Sequence, residues 1–345
     1  ALATHGADLN ALETKEPRGG DGSGTPGGYR NVLNRVGATP FLLAAKAVDT
    51  ELMRRLVRLG ADPLRPNEDG TTPLMVAAGV GIWAVGESPG TNEDAFAAVK
   101  LMLELGDVVT TVDANGDTAL HGAVIRGSGP LVRFLLDQGA DPNLPDSIGR
   151  TPLHAAVETG KAALVQALLA HGADPNARLV EAPFVLKGDF VAYGRYVGAT
   201  PLWLAAAARV PDVDILRRLA AAGADAGAAA DDGTTPLMAA VGMVQNEARL
   251  AAESEVLELV TLLVDLDIDV NAVDRRGRTA MHGAARLARN TLIPVLVDNG
   301  AKVNIADARG QTPLDVGTVS RPLHPDTASL LRSLGATTGT DSAQR

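Results

Sequence analysis

The chain has 345 residues, no cysteine, a formal net charge of −10 and only ten aromatic side chains. The absence of cysteine excludes disulfide scaffolds, cysteine-ligated metal centres and thiol catalysis. The acidic balance disfavours nucleic acid as a partner, and no apolar run approaches the roughly 18–20 residues needed to span a bilayer, so we expect no membrane insertion.

A short element, Gly-x-Thr followed by Pro or Ala and a large apolar residue, recurs along the whole chain. Its threonines are spaced by 33 residues or by 33 plus an insertion, and a Gly-Ala-Asp element follows most of them about 21 residues later. The anchor threonines are Thr39, Thr72, Thr118, Thr151, Thr200, Thr235, Thr279 and Thr312. A fixed period of this length indicates a repeat architecture.

Each residue type in one unit has a physical role. Thr151 can cap a helix, and Pro152 suits the first helical position because its missing N–H would have no partner there. The run 164–169 has the apolar spacing of a second buried helix, which Gly172 ends as a left-handed cap. Turn residues follow at 174–176. The pattern predicts helix, turn, helix and then an extended hairpin loop, here called a finger.

The sequences Thr151-Pro152-Leu153-His154-Ala155-Ala156 and Leu168-Leu169-Ala170-His171-Gly172-Ala173-Asp174-Pro175-Asn176, at a period of 33, resemble the ankyrin repeat. The resemblance extends from residue 1 to about 336. It implies an all-α ankyrin-repeat solenoid of helix-turn-helix units with β-hairpin fingers and a concave face that binds proteins.

Parts of the sequence recur with a shift of 161 residues, for example 35–40 as 196–201 and 119–123 as 280–284. We therefore expect two tandem blocks of four repeats, over 11–176 and 177–336. Residues 1–10 are expected to be the tail of a truncated N-terminal repeat, so that the natural chain extends upstream, and 337–345 a polar C-terminal tail. Blocks of this kind resemble bacterial ankyrin proteins, a similarity that implies no activity.

Four insertions are expected, at about 11–36, 80–93, 178–197 and 242–254. They contain most of the aromatic residues: Tyr29, Trp83, Phe184, Phe190, Tyr193 and Tyr196. Aromatic side chains outside a repeat core are enriched at interfaces, which favours contact with a partner. The alternative is that each insertion packs on itself. We expect 178–197 to extend its finger as a β-hairpin, and residues 246–266 to lengthen a second helix by about three turns.

No pattern in the sequence predicts an enzyme. Gly86-Glu87-Ser88-Pro89-Gly90 matches the nucleophile elbow, but proline after the serine lacks the N–H that an oxyanion hole needs. Five of the six histidines follow the repeat pattern, which leaves no cluster for a metal or for acid–base chemistry. The resemblance implies that His121, His154 and His282 join neighbouring loops by hydrogen bonds. We expect no catalytic residue, cofactor or metal.

One group of basic residues is distinctive. Arg275, Arg276 and Arg278 lie on one expected finger, and Arg309 lies on the next. Since successive fingers are neighbours in this fold, the four could form a positive patch that meets an acidic segment of a partner. The expected function is protein–protein interaction through the concave face, the fingers and the insertions. The alternative is a structural or self-associating subunit of a larger assembly, and the sequence identifies neither the partner nor the compartment.

Overall fold

The computed structural model of the protein describes residues 6–14, 33–82, 89–181, 196–244, 251–319 and 324–339. Contacts divide these residues into two units, of which unit 1 ends at Ala177 and unit 2 begins at Arg178. Every helix in both units is short, and each unit alternates a first and a second helix of a pair.

The helices of unit 1 are α1 (Pro40–Lys46), α2 (Thr50–Arg58), α3 (Pro73–Ala78), α4 (Asn92–Glu104), α5 (Ala119–Arg126), α6 (Gly129–Asp137), α7 (Pro152–Glu158) and α8 (Ala162–Ala170). Those of unit 2 are α9 (Pro201–Ala206), α10 (Val213–Ala221), α11 (Pro236–Ala240), α12 (Glu253–Val264), α13 (Ala280–Arg286), α14 (Leu292–Asp298), α15 (Pro313–Val319) and α16 (Pro325–Ser333).

The anchor threonine begins the first helix of each pair, as the sequence predicts. Thr39 precedes α1 in extended conformation, and its Oγ1 accepts a hydrogen bond of 3.1 Å from the N–H of Leu42. Pro152 occupies the first turn of α7. After the second helix the chain passes through a glycine with positive φ, such as Gly172 at φ +85°. These caps satisfy backbone groups that the short helices leave unpaired.

Stacking of equivalent helices builds the core of each unit. In unit 1, α1, α3, α5 and α7 pack in succession, and so do α2, α4, α6 and α8. In unit 2, α9, α11, α13 and α15 form one row, while α10, α12 and α14 form the other. Alanines on the first helices are almost fully buried: Ala45, Ala77, Ala123, Ala156, Ala239 and Ala284. Small side chains there let neighbouring first helices approach closely.

The prediction of β-hairpin fingers is wrong for the part of the chain that the structure describes, where no residue is in a β-strand. Each finger is a single tight turn, and within each unit one backbone hydrogen bond joins neighbouring fingers. One bond per pair cannot form a ladder. The predicted hairpin within 178–197 lies mostly outside the described residues.

The predicted lengthening of a second helix by about three turns is also wrong. Helix α12 begins at Glu253, only three residues longer than α10, because the side chain of Glu255 turns back and accepts the N–H of Ala252 at 3.1 Å. This capping contact fixes the start of the helix.

Candidate partner-binding surface

The fingers are five-residue turns, and the residues of each turn are called positions 1–5. Fingers 1–4 belong to unit 1 and comprise residues 34–38, 67–71, 113–117 and 146–150. Fingers 5–8 belong to unit 2 and comprise residues 196–199, 230–234, 274–278 and 307–311, where finger 5 is described from position 2 onward. In finger 7, the N–H of Asp274 donates to the carbonyl of Arg278, and the N–H of Gly277 donates back to Asp274. Gly277 has φ +73°, and a Cβ there would lie 2.9 Å from the N atom of Ala308, so position 4 requires glycine.

The tips of neighbouring fingers are joined within each unit. The N–H at position 2 of one finger donates to the carbonyl at position 3 of the finger before it, over 2.7–3.0 Å. In unit 1 the donors are Glu68, Ala114 and Ser147; in unit 2 they are Asp231, Arg275 and Ala308. Each unit therefore presents its fingertips as one connected row. Positions 2 and 3 lie at the tip of each turn, where most of their side chains reach the surface, whereas Ile148 and Tyr196 are buried.

Side chains from the first helices hold the finger bases. His121 accepts the N–H of Thr118 at Nδ1 and makes a 3.0 Å hydrogen bond from Nε2 to the carbonyl of Arg150 in finger 4. His282 bonds the carbonyl of Gln311 in the same way at 3.1 Å. The predicted loop-joining role is confirmed for both histidines. The acceptor role of Nδ1 assigns the proton to Nε2, which makes the imidazole neutral.

Burial keeps these histidines neutral at physiological pH. His121 is fully buried, and burial, with a smaller effect of the positive charge of Arg150, lowers its pKa from the usual 6.5 to about 4. Burial also lowers the pKa of His282. Both histidines therefore act as structural hydrogen-bond donors, and neither is poised for acid–base chemistry near neutral pH.

The four arginines of the predicted patch fall into two classes. Arg278 folds back onto the buried carboxylate of Asp274, with its Nε at 2.9 Å and its Nη2 at 2.6 Å from Oδ2. Arg275, Arg276 and Arg309, here called the fingertip arginines, are exposed and form no ion pair with any residue that the structure describes. Since the N–H of Ala308 donates to the carbonyl of Arg276 at 2.8 Å, the two fingers that display them are in contact.

A cleft of about 320 Å³ lies beside these arginines, between fingers 6 and 7. It is lined by Asp232, Asp274, Arg275, Arg276 and Arg278. In unit 1 a cleft of about 460 Å³ lies between fingers 1 and 2, next to the exposed Leu12. Clefts between fingers can receive individual side chains of a partner.

Comparison with known proteins agrees with this geometry. A family model described as "Ankyrin repeats (3 copies)" matches residues 90–178 and 248–341, together more than half of the chain. The chain belongs to the ankyrin repeat family. It is also similar to the crystal structure of the ankyrin repeat domain of Bcl-3, a unique member of the IkappaB protein family, at 27% sequence identity and a TM-score of 0.54. That match covers 77% of this chain and 100% of the Bcl-3 domain.

The aromatic candidates separate into two groups in this ankyrin repeat chain. Five lie outside the described residues: Tyr29, Trp83, Phe184, Phe190 and Tyr193. Tyr196 is only 2% exposed, and its ring centroid lies 4.5 Å from that of Trp203. Although Tyr196 belongs to finger 5, its side chain packs into the ankyrin core, which removes it from the candidate contacts.

The roots of two insertions have the same backbone geometry. Glu13 exchanges two backbone hydrogen bonds with residues 37–38, at the base of the first insertion. Leu179 exchanges two with residues 198–199, at the base of the third. Each insertion thus leaves its ankyrin repeat from a closed pair of hydrogen bonds. In the finger next to it the glycine N–H donates to the insertion root, and a bond from the N–H at position 5 to the carbonyl at position 2 closes the turn.

Two features of the ankyrin repeats were missed in the sequence. The side chain of Asn143 accepts the N–H of Asp174 at 2.7 Å and donates to the carbonyl of Gly172 at 2.9 Å, which clamps one repeat to the next. Asn271 and Asn304 make the equivalent pairs. The signal was available, because each of these asparagines stands four residues after the positive-φ residue that follows a second helix (Gly139, Asp267 or Gly300).

The second missed feature is Trp203, which stands at the histidine position of its anchor. Its Nε1 donates to the carbonyl of Thr234 at 2.7 Å, as the histidine Nε2 atoms do elsewhere.

Within the described residues, no helix is long and apolar enough to cross a membrane. In that same part of the chain, no three His, Asp or Glu side chains are grouped so as to hold a metal ion.

Proposed function

We propose that this chain is a non-enzymatic protein-binding module that recognises an acidic segment of a partner at its fingertip arginines. Ankyrin repeats generally mediate protein–protein interaction, and the finger row of unit 2 displays three guanidinium groups that form no ion pair with the residues the structure describes. The observation that carries the proposal is the contrast with Arg278, whose charge is neutralised inside the same finger by Asp274.

The chemistry of the surface favours carboxylates as ligands. A guanidinium group presents a planar set of donors that matches a carboxylate, and it remains charged at any physiological pH. The chain as a whole has a net charge of −10, so a local positive surface stands out against the field of the rest of the protein. Such complementarity raises association rates and selects acidic partners over neutral ones.

The test is an affinity pull-down from native extract, read by mass spectrometry, with the three fingertip arginines changed to glutamine. The matched control changes Arg217, Arg218 and Arg332 to glutamine, which removes the same charge from helices α10 and α16. We expect a protein that the unmodified chain and the control retain and that the fingertip variant loses. Retention of the same proteins by all three would refute the proposed surface.

Light scattering on the purified chain tests the rival role as a self-associating subunit. A recognition module alone keeps one mass at every concentration. A mass that rises with concentration in the control and stays constant in the fingertip variant would show that the acidic partner is a second copy of this chain.

A further inference from the structure

The charges at the fingertips of unit 2 change sign along the row. Finger 6 has Asp231 and Asp232 at positions 2 and 3, and finger 7 has Arg275 and Arg276 at the same positions. Finger 8 has alanine and then Arg309. We call these five charged residues the charge stripe. Because one tip-to-tip hydrogen bond joins each pair of neighbours, their order is fixed by the backbone.

These charges are available to a ligand to different degrees. Asp231 is exposed and has one loose ion pair, 3.7 Å from the exposed Arg178, which water and salt screen strongly. Asp232 uses Oδ1 to accept the N–H of Thr234 at 2.9 Å and lines the cleft between fingers 6 and 7. The sign therefore changes across a cleft of about 320 Å³, where a partner can place side chains of both charges.

The remaining charges on the same fingers are turned inward. The carboxylate of Asp274 is 3% exposed and bound to Arg278. Oδ1 of Asp307 accepts the N–H groups of Arg309 and Gln311 at 2.8 and 3.0 Å. Both carboxylates thus maintain their turns, and the stripe is defined by the side chains at positions 2 and 3.

The finger row of unit 1 has no such stripe, although its backbone follows the same plan. Arg35 on finger 1 is paired with Glu13 at 3.0 Å, and finger 2 has Glu68 and Asp69. Fingers 3 and 4 have uncharged residues at positions 2 and 3. The separation into a negative and a positive half is therefore a property of these side chains, not of the turn that displays them.

We propose that the charge stripe selects a partner segment whose charged residues form two blocks, a cationic block that docks on finger 6 and an anionic block that docks on fingers 7 and 8. The inference rests on the proposed function and adds to it the charge pattern of the partner. Like charges that face each other at short range are penalised, so a segment with the same composition in another order binds less well.

The spacing of the tips defines the length of the segment. Backbones joined by an inter-strand hydrogen bond lie about 5 Å apart. The tip-to-tip bond joins position 2 of one finger to position 3 of the finger before it, so the width of one turn is added to this distance. Equivalent positions of neighbouring fingers are therefore about 10 Å apart. An extended chain rises about 3.3 Å per residue, so about three residues reach from one finger to the next. A segment of about eight residues covers fingers 6 to 8.

The experiment measures binding of labelled eight-residue peptides by fluorescence anisotropy at low salt. The block peptide has lysine at its positions one and two and glutamate at four, five and eight, with serine elsewhere. Its isomer has lysine at four and five and glutamate at one, two and eight. A third peptide replaces both lysines of the block peptide by serine. We expect the block peptide to bind about tenfold more tightly than its isomer, with the third peptide between them.

A chain variant tests the negative half separately. Asp231→Asn with Asp232→Asn keeps a side-chain oxygen to accept the N–H of Thr234, so the turn is preserved. We expect this variant to bind the block peptide less tightly than the unmodified chain does and the acid-only peptide more tightly. Circular dichroism of the variant confirms that the fold is intact.

The outcomes separate the two proposals. Equal affinity for the block peptide and its isomer overturns the charge stripe, and so does a failure of every peptide to bind at low salt. Neither result decides the proposed function, which the pull-down with the fingertip variant judges on a native partner. If the Asn variant kept the full preference for the block peptide, finger 6 would have no part in recognition and the stripe would be overturned.

Discussion

In unit 1 the backbone of α5 passes so close to the end of α3 that a methyl group at Gly122 has no space. A Cβ at this position would lie 2.5 Å from the N atom of Val80 and 2.9 Å from the carbonyl carbon of Gly79. Real Cβ atoms keep about 3.4 Å from such neighbours, so Gly122→Ala forces the two backbones apart by nearly 1 Å. Overpacking of this kind costs about 1–3 kcal/mol.

The equivalent residue of unit 2 provides the control. A Cβ at Gly283 in α13 would lie 2.4 Å from Cγ of Met243 and 2.9 Å from Cγ2 of Val241. Both are side-chain atoms. The flexible side chain of Met243 can move aside, whereas Val241 is buried and stiff at χ1, so its methyl group yields less. Glycine to alanine within a helix gains about 0.5–1 kcal/mol from backbone entropy in both cases. The expected loss of stability is about 1–2 kcal/mol for Gly122→Ala and less than about 1 kcal/mol for Gly283→Ala.

Urea denaturation followed by circular dichroism gives the free energy of unfolding of each variant. Hydrogen exchange over α3–α5 and over α11–α13 assigns the change to the correct unit, because repeat proteins can lose stability locally. The backbone at Gly122 cannot yield as the side chains at Gly283 can, so the two variants should differ in stability. Equal destabilisation by Gly283→Ala and Gly122→Ala would refute this explanation.

Three further predictions concern the loops and the finger bases. Because His121 has a pKa of about 4 in the fold and 6.5 when unfolded, its contribution to stability is complete above pH 6.5 and is lost between pH 6.5 and 4. With His121→Gln, urea denaturation at several pH values should show about 3 kcal/mol less loss over this range, and an unchanged pH profile would contradict the assignment. Ala288 has φ +51° at the turn position where Gly160 has φ +64°, so Ala288→Gly should raise stability and Gly160→Ala lower it, each by about 1 kcal/mol in denaturation; changes of the same sign would be inconsistent with backbone strain. Trp203→Phe leaves the carbonyl of Thr234 without its buried donor and should cost about 1–3 kcal/mol; a loss below 0.5 kcal/mol, roughly, would mean that water replaces the indole N–H.

The helices could be predicted from the sequence because their signals are local. Thr151 directly precedes α7 and Pro152 is the first residue of that helix, while Gly172 stands just after His171, the residue that caps α8. The extent of α12 could not be predicted in this way. Its run of helix formers begins earlier, but the return contact from Glu255 decides where the helix starts.

The candidate site could also be predicted only in part, because some of its contacts depend on burial and on neighbours that a local sequence pattern does not show. The adjacency of Arg276 and Arg309 follows from the repeat period, so the sequence was sufficient to place them on neighbouring fingers. The neutralisation of Arg278 depends on the buried carboxylate of Asp274, and burial is not visible in a charge pattern. Tyr196 was misplaced for a similar reason: an aromatic residue beside an insertion looks exposed until the ring of Trp203 is found against it.

The tip-to-tip hydrogen bonds use only main-chain atoms, and this has a consequence for how such a protein can change over time. In finger 7 the folding requirements fall on Asp274, which holds the turn, and on Gly277, which alone fits against the next finger. The two residues between them, Arg275 and Arg276, contribute backbone groups that every amino acid except proline possesses. Their side chains can be exchanged one at a time without disturbing the row, so a new partner can be acquired by substitution while the scaffold stays intact.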